Sequence, residues 1–116
     1  MAEIKDARKI LDIFFTYGKL KRKQLVLYSG MNDRKVRDIV RFLRCEYLPS
    51  IPGNNYTIVY NPSTKFYEYT NKVEDLKIAR AYHKSYADSE WENVTGIDII
   101  IRRIERVEQE DLVLNI

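Results

Sequence analysis

Residues 25–43 read LVLYSGMNDRKVRDIVRFL, and the glycine at position 30 decides how the chain is organised around them. An uninterrupted amphipathic helix would avoid it, because glycine in a helix interior costs about 1 kcal/mol against alanine. Glycine takes positive φ at little steric cost, so Ser29, Gly30 and Met31 read as a tight turn. Asn32 suits the N-cap of a new helix and Asp33 its positive first turn. That helix is expected over Asp33–Cys45. Val36, Ile39, Val40 and Leu43 share one face; Arg34, Arg37, Asp38 and Arg41 share the opposite one, with Arg44 at its edge.

Upstream, Ile4, Ala7, Ile10, Leu11, Phe14 and Tyr17 follow helical spacing over residues 3–17, and Gly18 stands where a helix stops. "KLKRK" (19–23) reads as a basic link, and residues 22–29 as a short helix with Leu25 and Val26 inward. Downstream the texture changes. "YLPSI", "PGNN" and "YTIVY" read as strand, turn and strand, with Pro49 and Pro52 implying an edge position or strand ends for the first strand. "NPSTK" reads as a second turn and "FYEYT" as a third strand. Asn71 with Glu74 resembles a capping box and opens a helix from Lys72 to about Ala87. Residues 88–96 are ambiguous: Ser89 suits a cap, and Gly96 weakens continuity. A last helix is expected over Ile97–Gln109, although its "IDIII" is β-branched.

The chain has 116 residues and a net charge of +3, enough for one compact domain with an extension. The charge is unevenly spread. Up to Cys45 there are twelve Lys/Arg against five Asp/Glu; from Glu46 onward there are eight against twelve. A basic half is what a polyanion partner requires. Apolar runs are too short for a membrane span. The N-terminus carries acids and lacks the apolar core of a secretory signal. A single cysteine excludes an internal disulfide and a multi-cysteine zinc site. The expected setting is cytoplasmic.

Two short helices joined by a glycine turn resemble the helix-turn-helix motif, in which the second helix enters the DNA major groove. Val26 stands where the motif has a smaller apolar residue. The wider order of three helices and a hairpin resembles the winged helix-turn-helix superfamily. In "RKVRDIVRFLRCEYLPSIPGNNYTIVY" it is similar to small winged-helix proteins of phages and mobile elements. The expected fold is therefore mostly α within α+β: a winged helix-turn-helix domain over residues 1–70, three helices plus a hairpin wing, then a C-terminal helical extension over 71–116.

The resemblance implies sequence-specific binding of double-stranded DNA, as in a transcriptional regulator of a bacterial or phage-infected cell. Arginine forks suit guanine edges and phosphates alike, so Arg34, Arg37 and Arg41 are expected at bases or nearby phosphates. Asn32, Lys35 and Arg44 flank them, and Lys21, Arg22 and Lys23 are placed to hold the backbone. Asp38 either orients Arg34 or Arg41 or accepts from cytosine. Asn54 and Asn55 are placed at the hairpin tip, against sugar or phosphate, or serve simple turn chemistry. Ile97, Ile100, Ile101, Ile104 and Val107 form a stripe expected as a homodimer or partner interface, buried either within one chain or between two.

Blander readings compete. The arginine face can be a solvated surface. The hairpin tyrosines can be half-buried sheet residues rather than stacking platforms. His83 reads as a surface or interface histidine, Cys45 as a buried or incidental thiol, and Trp91 as a packing or interface residue. A second function is a protein-interaction module, anti-CRISPR-like, inhibiting a host nuclease, polymerase or defence complex, alone or combined with DNA binding. An enzyme is not expected. The sequence shows no metal-ligand cluster, no phosphate-cradling glycine loop and no nucleophile–base pair, and it calls for no cofactor.

Overall fold

The structure, a computed structural model, describes the backbone of residues 2–85 and 91–114 and the side chains of residues 4–85 and 91–108. The chain is a mostly helical α+β fold around a small antiparallel sheet. Helix α1 (Ala2–Tyr17) buries Ala7, Ile10, Leu11 and Phe14 on one stripe. Gly18 ends it at φ 78°, its N–H donating to the Phe14 carbonyl at 2.7 Å.

The next two residues, Lys19–Leu20, form strand β1 inside the stretch expected to be a link. Leu20 points into the core, 1% exposed, while Lys19 faces out. Helix α2 (Arg22–Ser29) starts with Gln24 accepting from the Lys21 N–H at 2.8 Å. It ends at Gly30, whose φ of 72° is the left-handed conformation anticipated from the turn. The Ser29 hydroxyl accepts from the Met31 N–H at 3.1 Å, and the Asn32 carboxamide caps helix α3 (Asp33–Phe42) by accepting from the Lys35 N–H at 2.8 Å.

Helix α3 runs on without a break into a π-turn, Leu43–Tyr47, and a last turn α4, Leu48–Ser50. The strand expected at "YLPSI" is thus helical. A regular α turn would drive the Pro49 ring against the carbonyl four residues back, and the wider π-turn falls just N-terminal to it. Packing holds the segment helical: Leu43, Leu48 and Pro49 are all buried.

Strands β2 (Thr57–Asn61) and β3 (Phe66–Thr70) form the hairpin, in register Tyr60 opposite Tyr67 and Ile58 opposite Tyr69. β1 adds to the free edge of β3, so the sheet order is β1-β3-β2. The hairpin tip is at residues 62–65, where Lys65 takes φ 63°. Asn54 and Asn55, expected at the tip, instead precede β2. The segment before them is helical, so the hairpin begins only at Thr57.

Helix α5 (Val73–Lys84) begins after Lys72 rather than under an Asn71 cap, with Glu74 and Asp75 in its first turn. The Thr70 hydroxyl accepts from the Lys72 N–H at 3.1 Å. Ser89 and the expected end of α5 near Ala87 lie outside the described residues. Helix α6 (Trp91–Leu114) contains "IDIII", as expected, and also passes straight through Gly96. There the helix needs a glycine: a Cβ on Gly96 would stand 2.5 Å from the Arg44 carbonyl oxygen.

Two apolar clusters hold these elements. One gathers α1, α2, α3 and Ile58 around Ile10, Phe14, Leu25, Val36 and Leu43. The other joins α5 and α6 to Val59 of β2. β2 therefore contributes to both, its neighbouring residues facing opposite sides of the sheet as strand geometry requires. The stripe expected at an interface is spent in the second cluster. Ile97, Ile100, Ile101 and Ile104 are buried against Leu76 and Ala79 within the same chain, which leaves only Val107 of the five exposed. No helix among the described residues is long and apolar enough to cross a membrane.

Candidate nucleic-acid interface

The apolar back of α3 fixes which side chains face out. Val36, Ile39 and Val40 are buried, so Arg34, Arg37, Asp38 and Arg41 are exposed on the other side. The arginines differ in what holds them. Arg34 makes no ion pair with a described residue. Arg37 pairs with Asp33 at 3.2 Å, and the same carboxylate takes Arg22 of α2 at 2.7 Å, so Asp33 bridges the two helices. Arg41 pairs with Glu92 at the start of α6 at 3.0 Å. Lys35 turns back to Asp6 of α1 at 3.1 Å. All these pairs are solvent-accessible, so each contributes only about 0–1 kcal/mol. They are contacts that a phosphate can displace.

Asp38 makes no ion pair with Arg34 or Arg41 among the described residues. Asn32 is engaged in capping α3. Asn54 serves turn chemistry: its amide donates to the carbonyls of Leu48 and Tyr56 at 3.0 and 2.8 Å. Asn55 is half-buried beside it.

Arg44, expected to reach a DNA backbone, is buried at 5% exposure. Its Nε donates to the Ile58 carbonyl at 2.8 Å and one terminal nitrogen donates to Asn93 Oδ1 at 3.0 Å. A buried charge needs such partners. The reason for the correction lies in helix geometry. Arg44 stands at the edge of the apolar face, and α6 together with β2 closes over that edge. Cys45 lies next to it, its thiol donating to Asn93 Oδ1 at 3.3 Å. Burial pushes that thiol above its ordinary pKa, against the opposing effect of Arg44 and Arg41, which disfavours a reactive thiolate. His83 is buried rather than on the surface and packs edge-on to Tyr82. Trp91 is exposed.

A feature that sequence reading missed is a groove of about 830 Å³ beside the arginine face. Lys21, Arg22 and Lys23 from the start of α2 line it, with Arg37, Asp38 and Arg41 from α3 and Arg44 beyond them. Tyr60, Lys65 and Tyr67 come from the hairpin, and Tyr82, His83 and Asn93 from α5 and α6. The lining holds seven cationic side chains and one carboxylate; Asp33 pairs with Arg22 and Arg37, and Glu92 with Arg41. The aromatic wall is continuous: ring centroids lie 5.0 Å apart for Tyr60–Tyr67 and 5.6 Å for Tyr60–Tyr82. Lys23 and Lys65 make no ion pair with a described residue, and the Lys21 ammonium sits over the Phe66 ring at 5.6 Å. The tyrosine-rich hairpin was a visible signal; the arrival of α5 and α6 beside it was not.

The other hairpin tyrosines sit elsewhere. Tyr69 stacks on Tyr56 and meets Phe15 edge-on. Comparison of the chain with family models, with curated proteins and with solved structures returned no match.

Proposed function

We propose that the chain is a non-enzymatic DNA-binding protein of winged-helix layout that presents the first turns of α3 to the major groove of a duplex. The observation that carries this reading is the exposed Arg34 and Arg37 immediately after the left-handed turn at Gly30. The leading residues of a recognition helix are the ones that reach base edges. The order α1-β1-α2-α3-β2-β3, with β1 closing the sheet beside β3, supports the layout. Lys21 and Lys23 on α2 supply positive charge for the DNA backbone. Arg41 stands further along α3, tied to α6, and takes a phosphate rather than a base. Regulation of transcription is the role that fits sequence-specific binding without catalysis.

The test is anisotropy titration of labelled duplex pools at two salt concentrations, followed by selection and sequencing of the bound DNA. Binding that weakens steeply with salt and enriches a motif is expected. Losing Arg34 or Arg37 should cost about 1–3 kcal/mol on the selected site if the residue reads a base. Undiminished affinity in the Arg34→Ala/Arg37→Ala double variant would remove α3 as the reading element.

A second reading, a protein-interaction module, is favoured by a different surface. Phe15, Tyr17, Leu27 and Tyr28 of α1 and α2 are all exposed, Leu27 at 74%, and Tyr17 stacks on Tyr28 at 4.5 Å. Exposed apolar surface gathered into a patch marks interaction sites, and the Tyr17–Tyr28 pair is where such a patch would centre. A stable complex captured without DNA, and lost on Leu27→Asp, would favour it. The isoleucine stripe no longer argues for a homodimer, because the chain buries it internally.

A further inference from the structure

The duplex reading uses the cationic rim of the groove between α2, α3, the hairpin and the C-terminal helices and leaves its tyrosine wall without a role. Its chemistry is specific. One side is cationic, from Lys21 and Lys23 across to Arg37. The other is aromatic, built from the half-buried rings of Tyr60, Tyr67 and Tyr82. At about 830 Å³ the groove has the size of a small-molecule site.

We propose that this groove holds an unpaired strand of nucleic acid, its phosphates along the lysines and Arg37 and its bases against the tyrosines. A charged track beside aromatic faces is the arrangement that binds single strands with little sequence preference, because every base has a π-face. A purely anionic peptide would use the cations and leave the tyrosines idle. Lys65 at the hairpin tip, with φ 63°, also lines the groove. The strand meets few fixed obstacles: the ion pairs at the rim are exposed and exchange readily with phosphate. The inference rests on the nucleic-acid reading above and adds a second form of ligand at a surface that shares Lys21, Lys23 and Arg37 with it.

The experiment uses the full chain and a fluorescein-labelled oligothymidylate of about 15 nucleotides, an abasic oligomer of equal length and charge, and a duplex control. Oligothymidylate should bind about tenfold or more tightly than the abasic strand. Tyr82→Leu should abolish that preference. Lys65→Asn, which tolerates the left-handed backbone, should weaken both single strands alike. Arg34 lies outside the groove, so Arg34→Ala should weaken duplex binding and spare single-strand binding. Retention of native circular dichroism shows that each variant folds. Equal affinity for the oligothymidylate and abasic strands overturns the proposal. So does displacement of the oligomer by free thymidine monophosphate at equal nucleotide concentration, which would make the groove a mononucleotide pocket. If Arg34→Ala leaves duplex binding intact while Tyr82→Leu removes the base preference, the duplex reading fails and the groove survives.

Discussion

Gly96 of α6 lies directly on the backbone of Arg44, with room for no side chain: a Cβ there would meet the Arg44 carbonyl oxygen at 2.5 Å and the Cys45 Cα at 3.3 Å. This close approach lets α6 cover the π-turn at the end of α3. Alanine is the better helix former by about 1 kcal/mol, so helix propensity alone predicts that Gly96→Ala stabilises. The obstacle is backbone and cannot rotate away. Gly96→Ala is expected to destabilise by about 1–3 kcal/mol, read as a lower urea midpoint at unchanged slope.

Arg103 stitches α6 to the loop before β2. Its guanidinium donates to the carbonyls of Pro49, Ile51 and Asn54 at 2.7, 3.0 and 2.9 Å. A planar fork is needed to reach three carbonyls at once, and lysine does not supply one. Arg103→Lys should cost about 1–2 kcal/mol and Arg103→Leu about 2–3 kcal/mol, both measured by equilibrium unfolding. Equal stability of all three proteins would show that the loop has other support.

Gly30 and Gly96 are both required, for opposite reasons. A Cβ on Gly30 meets nothing within 4 Å, so only its φ of 72° matters. Gly30→Ala should destabilise by about 1–2 kcal/mol and Gly30→Asn by less, because asparagine visits the left-handed region more readily. Thermal melts of the two variants give the order.

Cys45 makes stability pH-dependent on the alkaline side. Burial raises its pKa in the folded chain. As pH passes the ordinary thiol value, the unfolded chain loses a proton that the folded chain keeps. The unfolded state then binds fewer protons, so stability falls with rising pH. Tyr69, raised by burial and by Tyr56, contributes in the same direction at higher pH. The decline should be shallower in Cys45→Ala, measured by melts from neutral pH upward. The same thiol should react slowly with disulfide reagents until the chain is unfolded.

Much of the helical framework is legible in the sequence because its signals are local. The stripe of Ala7, Ile10 and Phe14, the turn at Gly30 and the cap at Asn32 need no distant partner to be read. The errors arose where tertiary contact overrides local preference. Pro49 and Pro52 suggested an edge strand, but packing of Leu43 and Leu48 keeps that segment helical. Lys19 and Leu20 carry no strand signal beyond one buried leucine, and they pair only because β3 offers an open edge. Arg44 reads as a surface residue because nothing nearby in sequence says that α6 and β2 cover it, and His83 because nothing local marks its side of α5 as buried. The arginine face was predictable from helical spacing. The groove beside it was not, since its walls come from residues as far apart as Lys21 and Asn93.

Asp33 clasps Arg22 and Arg37 together, and on the proposed reading it stands where an incoming phosphate would go. The protein carries its own competitor. A lone monovalent anion that displaced this carboxylate would exchange one negative partner for another and leave the acid stranded. A chain of linked phosphates gains from many contacts at once and can afford the exchange. On the proposed nucleic-acid reading, the carboxylate would act as a filter, yielding to a polymer where a small anion fails.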